Sequence, residues 1–161
     1  MQETTNNGGV DQATTAANLK RYRVTESWKD YEVTLEVNLD VLTVERASLI
    51  NDYLSDNKTR LADENGDIIR VAIRMAGTTM IRIMLEQGGA EFGPELTNLF
   101  GDSPGVARTY DLHSTEGFGG CEAAEMPYGW CGIRVLGAAV DVPTFFEVEL
   151  SEISALSGPV K

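Results

Sequence analysis

Two early stretches of the chain alternate apolar and polar residues with a period of two. Tyr22 and Val24 lead the first, from about residue 20 to residue 28, and the second, residues 31–38, places Val33, Leu35 and Val37 between polar neighbours. This alternation is typical of strands with one buried face. Only a short turn separates the two stretches, so the pattern predicts an antiparallel hairpin.

The middle of the chain changes to a helical spacing. Apolar residues recur every three or four positions from about 43 to 55, after Thr43 as a helix-starting residue. The run from Ile68 to Leu85 is apolar apart from Gly77, two threonines and three arginines spaced by four and eight. It predicts a largely buried helix with one wet stripe, with Asp67 as its cap. An alternative divides this run into two strands at residues 76–79.

Two more strands are predicted later in the chain. Residues 133–142 form a β-branched and small-residue run, and Phe146, Val148 and Leu150 alternate with glutamates. The elements together predict an α+β fold, in which an antiparallel sheet of about four strands has two helices packed on one face. The expected core residues are Val33, Leu35, Val37, Leu49, Ile50, Leu54, Ile69, Ile73, Met80, Met84, Ile133, Val135, Val148 and Leu150.

The segment from residue 88 to residue 132 is rich in glycine, proline and small polar residues. It offers only residues 96–100 and 108–112 as short elements, so it is either functional or more ordered than its composition indicates. The polar residues 1–19 are expected to form a disordered tail, residues 20–154 a single domain, and residues 155–161 a C-terminal tail.

Charge limits the classes of partner. The chain has 25 acidic and 13 basic side chains, a formal charge of -12, so its field repels phosphate and direct binding to nucleic acid is not expected. No apolar run is long enough to cross a membrane. Two cysteines are too few for a disulfide scaffold, which favours a soluble protein in a reducing cytoplasm.

Few residues offer catalytic or metal-binding chemistry. His113 is the only histidine, which removes most triads and zinc sites. Cys121 and Cys131 lack a metal-ligand spacing, and the glycines from 117 to 120 have no following Lys-Ser or Lys-Thr pair to bind phosphate. We therefore predict no catalytic residue, no metal and no cofactor.

Two sets of residues remain as candidate sites. The first is an acidic sheet face that binds a protein partner with a basic surface, although the same face could simply be solvated. Its residues are Glu32, Glu36, Glu147, Glu149 and Glu152. The alternative is a ligand or enzyme site in the region from Asp111 to Trp130, unless its aromatic residues only cover the open end of the core. Its residues are Asp111, His113, Glu116, Cys121, Tyr128 and Trp130.

Several strings resemble a family of uncharacterised bacterial and phage proteins. They span about residues 20–153 and comprise 22–24, 31–37, 41–43, 49–55, 60–61, 116–118 and 132–135. That family is a domain of unknown function found in phages, plasmids and mobile islands, so the resemblance implies an accessory protein in a bacterial host cell and assigns no catalytic residue.

The leading hypothesis is a non-enzymatic interaction protein that inhibits a host defence complex by occupying a basic, nucleic-acid-binding surface. A structural or virion component is a further alternative. It predicts a symmetric oligomer, but the sequence does not fix the oligomeric state.

Overall fold

A computed structural model describes residues 17–93, 103–122 and 125–153. These residues form an antiparallel sheet with the strand order β1-β2-β4-β3, together with four helices. The predicted α+β class and the four-stranded sheet are confirmed. The strands are β1 Leu19–Glu26, β2 Tyr31–Asn38, β3 Ala90–Phe92 and β4 Ile133–Val140; the helices are α1 Val44–Asp52, α2 Asn57–Asp63, α3 Ile68–Glu86 and α4 Pro104–Ser114.

The predicted hairpin is β1 and β2, which pair in register along all eight residues of each strand. Strand β2 lies between β1 and β4. Val33, Leu35 and Val37 have no exposed surface, because they point to the face that α3 covers. The period of two in the sequence therefore identified the buried face of the central strand.

Helix α3 is the long helix expected from Ile68 to Leu85, and the alternative of two strands is wrong. Ala72, Ala76, Met80 and Met84 recur every fourth residue and are completely buried against the sheet. Every fourth residue from Arg70 to Arg82 is exposed, which is the predicted wet stripe. Among the described residues, no helix has the length and apolar character needed to span a bilayer.

Both predicted helix caps are confirmed. The Asp67 side chain accepts a hydrogen bond from the Arg70 amide at 3.2 Å, and Thr43 accepts one from the Arg46 amide at 3.2 Å. Helix α1 ends at Asp52 rather than near residue 55. Leu54 lies beyond its end and is half exposed, as is Leu49 on its outer side, so neither belongs to the core.

The last predicted strand is wrong. Phe145–Glu147 forms a 3-10 turn capped by Thr144, and the residues that follow make no strand. Val148 and Leu150 are exposed rather than core residues. The fourth strand is instead β3, a strand of three residues near the start of the glycine-rich segment. It pairs with the end of β4.

Helix α4 was also missed in the glycine-rich segment, where the predicted element at 108–112 forms only its middle. It runs along the edge of β4 that β3 leaves uncovered, and its side chains bind the backbone there. Thr109 accepts a hydrogen bond from the Val135 amide at 2.9 Å, and His113 Nε2 donates to the Ile133 carbonyl at 2.7 Å. The predicted element at 96–100, most of the tail at 1–19, and the tail at 155–161 lie outside the described residues.

A glycine lets α3 cross close to β1. A Cβ atom on Gly77 would lie 2.5 to 2.6 Å from three atoms of the Val24 side chain. Gly77→Ala should therefore lower the free energy of unfolding by about 1 to 3 kcal/mol. Chemical denaturation checks this, with Gly93→Ala as the control, since a Cβ there meets no atom of the described residues within 4 Å and should change stability by less than about 0.5 kcal/mol. If Val24→Ala does not reduce the loss caused by Gly77→Ala, the close approach is not its cause.

Candidate functional site

A cleft of about 670 Å³ lies on the helical side of the molecule and is here called the helical cleft. Helices α1, α2 and α3 and the loop of residues 115–118 after α4 form its walls. Ile50, Val71, Met75 and Phe118 line it and are themselves buried. An apolar cavity of this volume is in the range that holds a small ligand or an apolar side-chain cluster.

Charged side chains line the rim of the helical cleft. Arg74 Nη1 lies 2.5 Å from Asp63 and 2.9 Å from Glu64, and Arg70 also binds Glu64 at 2.9 Å. Hydrogen bonds from Arg70 and Arg74 lower the pKa of Glu64, so this carboxylate stays ionised. Arg82 lines the same rim and makes no ion pair among the described residues, so the cleft keeps one available cation.

Arg60 holds one wall of the helical cleft in place. Its guanidinium donates to the carbonyl oxygens of Asn51, Leu54 and Ser55 and to the Asn51 side chain, at 2.6 to 3.0 Å. These carbonyls belong to the end of α1 and the loop after it, where helical partners run out. Arg60 therefore ties α2 to the C-terminal end of α1 and has a structural role.

Glu116 is the predicted ligand residue that reaches the helical cleft. The Tyr53 hydroxyl donates to its carboxylate, and this hydrogen bond raises the pKa of Tyr53. Both residues lie at the cleft wall and are exposed. The rim thus combines a carboxylate and phenol with the Arg82 guanidinium, which suits polar groups on a bound molecule.

The helical cleft has the features of a binding site. Its lining contains threonine, tyrosine and acidic side chains and no histidine or cysteine. Among the described residues, no group of three or more histidine, cysteine or acidic side chains is arranged to hold a metal ion. Orientation and burial of a ligand are what this arrangement can provide.

His113 is not a ligand residue but part of the core. It has no exposed surface. Its Nε2–H donates a hydrogen bond to the Ile133 carbonyl, and Nδ1 has no hydrogen-bond partner among the described residues. Gly129 packs against the ring, where a Cβ atom would lie 2.6 Å from Cε1. Burial lowers the pKa of His113, so the ring stays neutral.

The other predicted ligand residues around His113 are engaged locally. Asp111 pairs with Arg108 at 3.2 Å, and the Cys121 thiol lies 3.1 Å from the Ser114 hydroxyl and 3.3 Å from the Tyr110 carbonyl. They do not converge with Glu116 on one cavity. The second cysteine, Cys131, is buried, and burial raises its pKa to about 12, which keeps the thiol protonated.

Tyr128 and Trp130 instead cover neighbouring side chains. The Tyr128 hydroxyl donates to Glu36 at 2.7 Å on the outer sheet face. The Trp130 ring faces the Arg46 guanidinium at 5.4 Å, and Arg46 donates to the Trp130 carbonyl at 2.7 Å. Trp130 also packs against the core, as expected for an aromatic residue that covers its open end, whereas Tyr128 covers Glu36 on the outer face.

The predicted acidic sheet face does not form a free acidic patch. Glu36 is almost fully buried between β1 and β4, where Arg21 Nε lies at 3.0 Å and Arg134 Nη2 at 2.6 Å. Burial by itself raises the pKa of Glu36, but the hydrogen bonds from Tyr128, Arg21 and Arg134 outweigh it and lower the pKa. Glu32 is paired with Arg23 at 3.0 Å. The outer face is therefore a cross-strand network of both charge signs.

The remaining predicted acids lie on an exposed extension after β4, residues 141–153, here called the acidic arm. Glu147 caps the 3-10 turn by accepting from Thr144, and Glu149 and Glu152 are exposed. Large apolar side chains on the acidic arm are exposed as well: Phe145, Phe146, Val148, Leu150 and Ile153, by 58 to 101%. Contiguous exposed apolar surface is a common feature of interaction sites, so the acidic arm is a second candidate site.

The helical cleft itself was missed at the sequence level. Its most useful signal was the arginine stripe on α3, interpreted only as a wet face. Arg74 and Arg82 lie on that stripe, but their common cavity depends on residues 115–118, which α4 brings from far along the chain. Since α4 was not predicted, no pattern in the sequence joined these segments.

The described residues thus define an open-sheet α+β domain with an apolar cleft and an exposed acidic arm. A family model for proteins of unknown function (DUF2528) matches residues 32–150, and the chain belongs to this family. The match includes every residue that lines the helical cleft. No curated protein and no solved structure matches the chain significantly.

His113 should make stability depend on pH. Its pKa is lowered in the folded state, so below the unfolded value of about 6.5 the unfolded chain binds a proton that the folded chain does not. The contribution of the neutral His113 ring to stability is therefore fully present above that value and is lost as the pH decreases toward the folded pKa. Urea titrations of the wild type and His113→Gln should show that their stability difference shrinks as the pH falls through this window. A difference that is constant with pH would contradict the neutral buried ring.

Proposed function

We propose that this protein is a non-enzymatic interaction protein that binds a basic protein surface through its acidic arm. One observation carries the proposal: five large apolar side chains on the arm are exposed while acidic residues lie between and around them. Residues 141–153 contain four acidic side chains and no basic one. Apolar contact supplies affinity to such a segment, and its charges select the partner.

The finer part of the proposal concerns the biological setting. We place the protein in a phage or another mobile element, where it inhibits a host defence complex by covering a basic surface that normally binds nucleic acid. The charge of -12 supports this assignment, because an acidic chain competes with nucleic acid for the same cations. The sheet face proposed from the sequence does not contribute, since arginines neutralise its carboxylates.

Replacing the apolar residues of the acidic arm should abolish partner capture. A tagged chain with Phe146→Ser and Leu150→Ser should recover at least about tenfold less of any specific partner from a bacterial host lysate, because the lost contacts are worth more than 1.4 kcal/mol. Leu49→Ser, at another exposed leucine, is the matched control. Duplex DNA added as a competitor should release the partner if its bound surface is a nucleic-acid site. Equal capture by the arm variant and the wild type would refute the role of the arm.

A second candidate function is small-ligand binding in the helical cleft. Its support is the cleft itself, with an apolar lining and with Glu116, Tyr53 and Arg82 at the rim. The suitable ligand class is an amphipathic molecule with an apolar body and an anionic group directed at Arg82.

Binding in the helical cleft is testable with an apolar naphthalene sulfonate as the probe. The probe should shift the methyl resonance of Met75, which lines the cleft, and leave that of Met84, which is packed against the sheet, unchanged. Thr78→Phe should fill the cleft and weaken binding by about tenfold or more, equivalent to about 1.4 kcal/mol. Leu49→Phe, outside the cleft, is the control. Shifts at both methionines, or unchanged binding to Thr78→Phe, would exclude the cleft as the site.

A further inference from the structure

Strand β1 is an open edge of the sheet. In the order β1-β2-β4-β3, its only strand partner among the described residues is β2, and it is eight residues long. The other edge strand, β3, has three residues. An edge strand presents unpaired backbone N–H and C=O groups to which another strand can add. The long edge at β1 is therefore the better template for strand addition.

The β1 edge carries three basic side chains in an acidic protein, two of which are paired with carboxylates of β2. Lys20, Arg21 and Arg23 are all exposed along it. The two arginines bind Glu36 and Glu32 through Nε, yet 62% and 68% of their side chains remain accessible. The edge can therefore attract a further carboxylate on the outer face of the sheet.

The acidic arm has the complementary pattern. Phe146, Val148 and Leu150 alternate with glutamates, as in a strand with one buried face. Val148 already has an extended backbone, with φ -110° and ψ 142°. Among the described residues, this segment has the pattern of a strand but pairs with no sheet, and β1 has no second strand partner on its outer side.

We propose that the acidic arm of one copy adds as a strand to the β1 edge of a second copy of this chain. The proposal rests on the proposed function, because it gives the same arm a further surface to bind, on a second copy of this chain. The apolar side chains of the arm would lie beside Tyr22 and Val24, on the face where α3 packs. That face continues into a depression of about 460 Å³ lined partly by Tyr22, Leu39 and Ile69. The glutamates of the arm lie on the opposite face, beside Arg21 and Arg23.

Connector length favours a second copy over the arm's own β1. A strand added outside β1 lies three strand spacings from β4, about 14 Å. The six Cα–Cα steps from Val140 to Phe146 span at most about 20 Å when fully extended. Docking within one chain thus requires a largely extended connector that passes around the turn between β1 and β2, whereas a second copy imposes no such limit. Reciprocal exchange of two arms gives a closed twofold dimer.

Sedimentation equilibrium of the full chain tests the proposal. The wild type should dimerise, and Phe146→Ser with Leu150→Ser should weaken the dimer at least about tenfold, equivalent to about 1.4 kcal/mol. Glu147→Lys with Glu149→Lys should also weaken it, by a factor that shrinks at high salt as the charges are screened. Glu45→Lys with Glu91→Lys, at exposed acids on α1 and β3, is the charge-matched control and should leave the dimer intact. A wild type that remains monomeric at every concentration overturns the proposal.

Hydrogen exchange identifies the surface within the dimer. Amides of β1 and of residues 146–151 should become protected together as the concentration rises, by about tenfold or more. A dimer that protects the helical cleft instead, or protection that is independent of concentration and therefore intramolecular, also overturns the proposal. The two proposals can fail independently. If the wild type is a monomer but the arm variants still fail to capture a lysate partner, the arm is a binding element and β1 of a second copy is not its target.

Discussion

Helix α4 replaces a strand at the edge of β4, and the shape of the molecule depends on that substitution. Strand β3 covers only residues 138–140 of β4, which leaves the backbone groups of Ile133 and Val135 without a strand partner on the side away from β2. His113 and Thr109 supply the missing donor and acceptor from the helix. Buried backbone groups need such partners, so α4 is fixed along this edge. The loop after α4 is thereby placed against α3, where it closes the helical cleft.

Charge in this protein is distributed according to burial. On the sheet, where a carboxylate is enclosed, Glu36 receives hydrogen bonds from Arg21, Tyr128 and Arg134 that compensate its lost hydration. At the helical cleft, Arg70 and Arg74 bind Glu64 in the same way. Four of the 13 basic residues are committed to these contacts, and a surplus of acids remains on exposed segments, including the acidic arm.

The sequence predicted those elements whose own side chains bury a single face. Alternation of apolar and polar residues located β2, because the helical layer covers one of its two faces. Helical spacing located α3, because apolar residues fill most of its circumference. Thr43 and Asp67 marked the starts of α1 and α3 through contacts made within four residues. All these signals are local in the chain.

The missed features depend on contacts between distant segments. Helix α4 turns a polar side, with Thr109 and His113, to a strand edge, so it has no apolar stripe to reveal it. Gly105 in this helix packs against the Val135 carbonyl oxygen, which would lie 2.8 Å from a Cβ atom at this position. In the sequence, the same glycine is typical of a loop. Conversely, residues 146–151 have the alternation of a strand but no free sheet edge within easy reach. A pattern can therefore predict the conformation a segment favours, but not whether its own chain provides the partner.

An exposed segment with strand alternation is a hazard as well as a means of binding, because it can pair with any open edge. The glutamates of the acidic arm restrict that pairing. Two such arms placed side by side bring Glu147 and Glu149 against like charges, which disfavours stacking of arm on arm. A basic edge removes this repulsion and adds attraction, so the same residues that oppose uncontrolled assembly also select the partner. In this respect the acidity of the chain has its effect through a few positions on one strand-like segment, and the net charge alone would not specify which surface the arm joins.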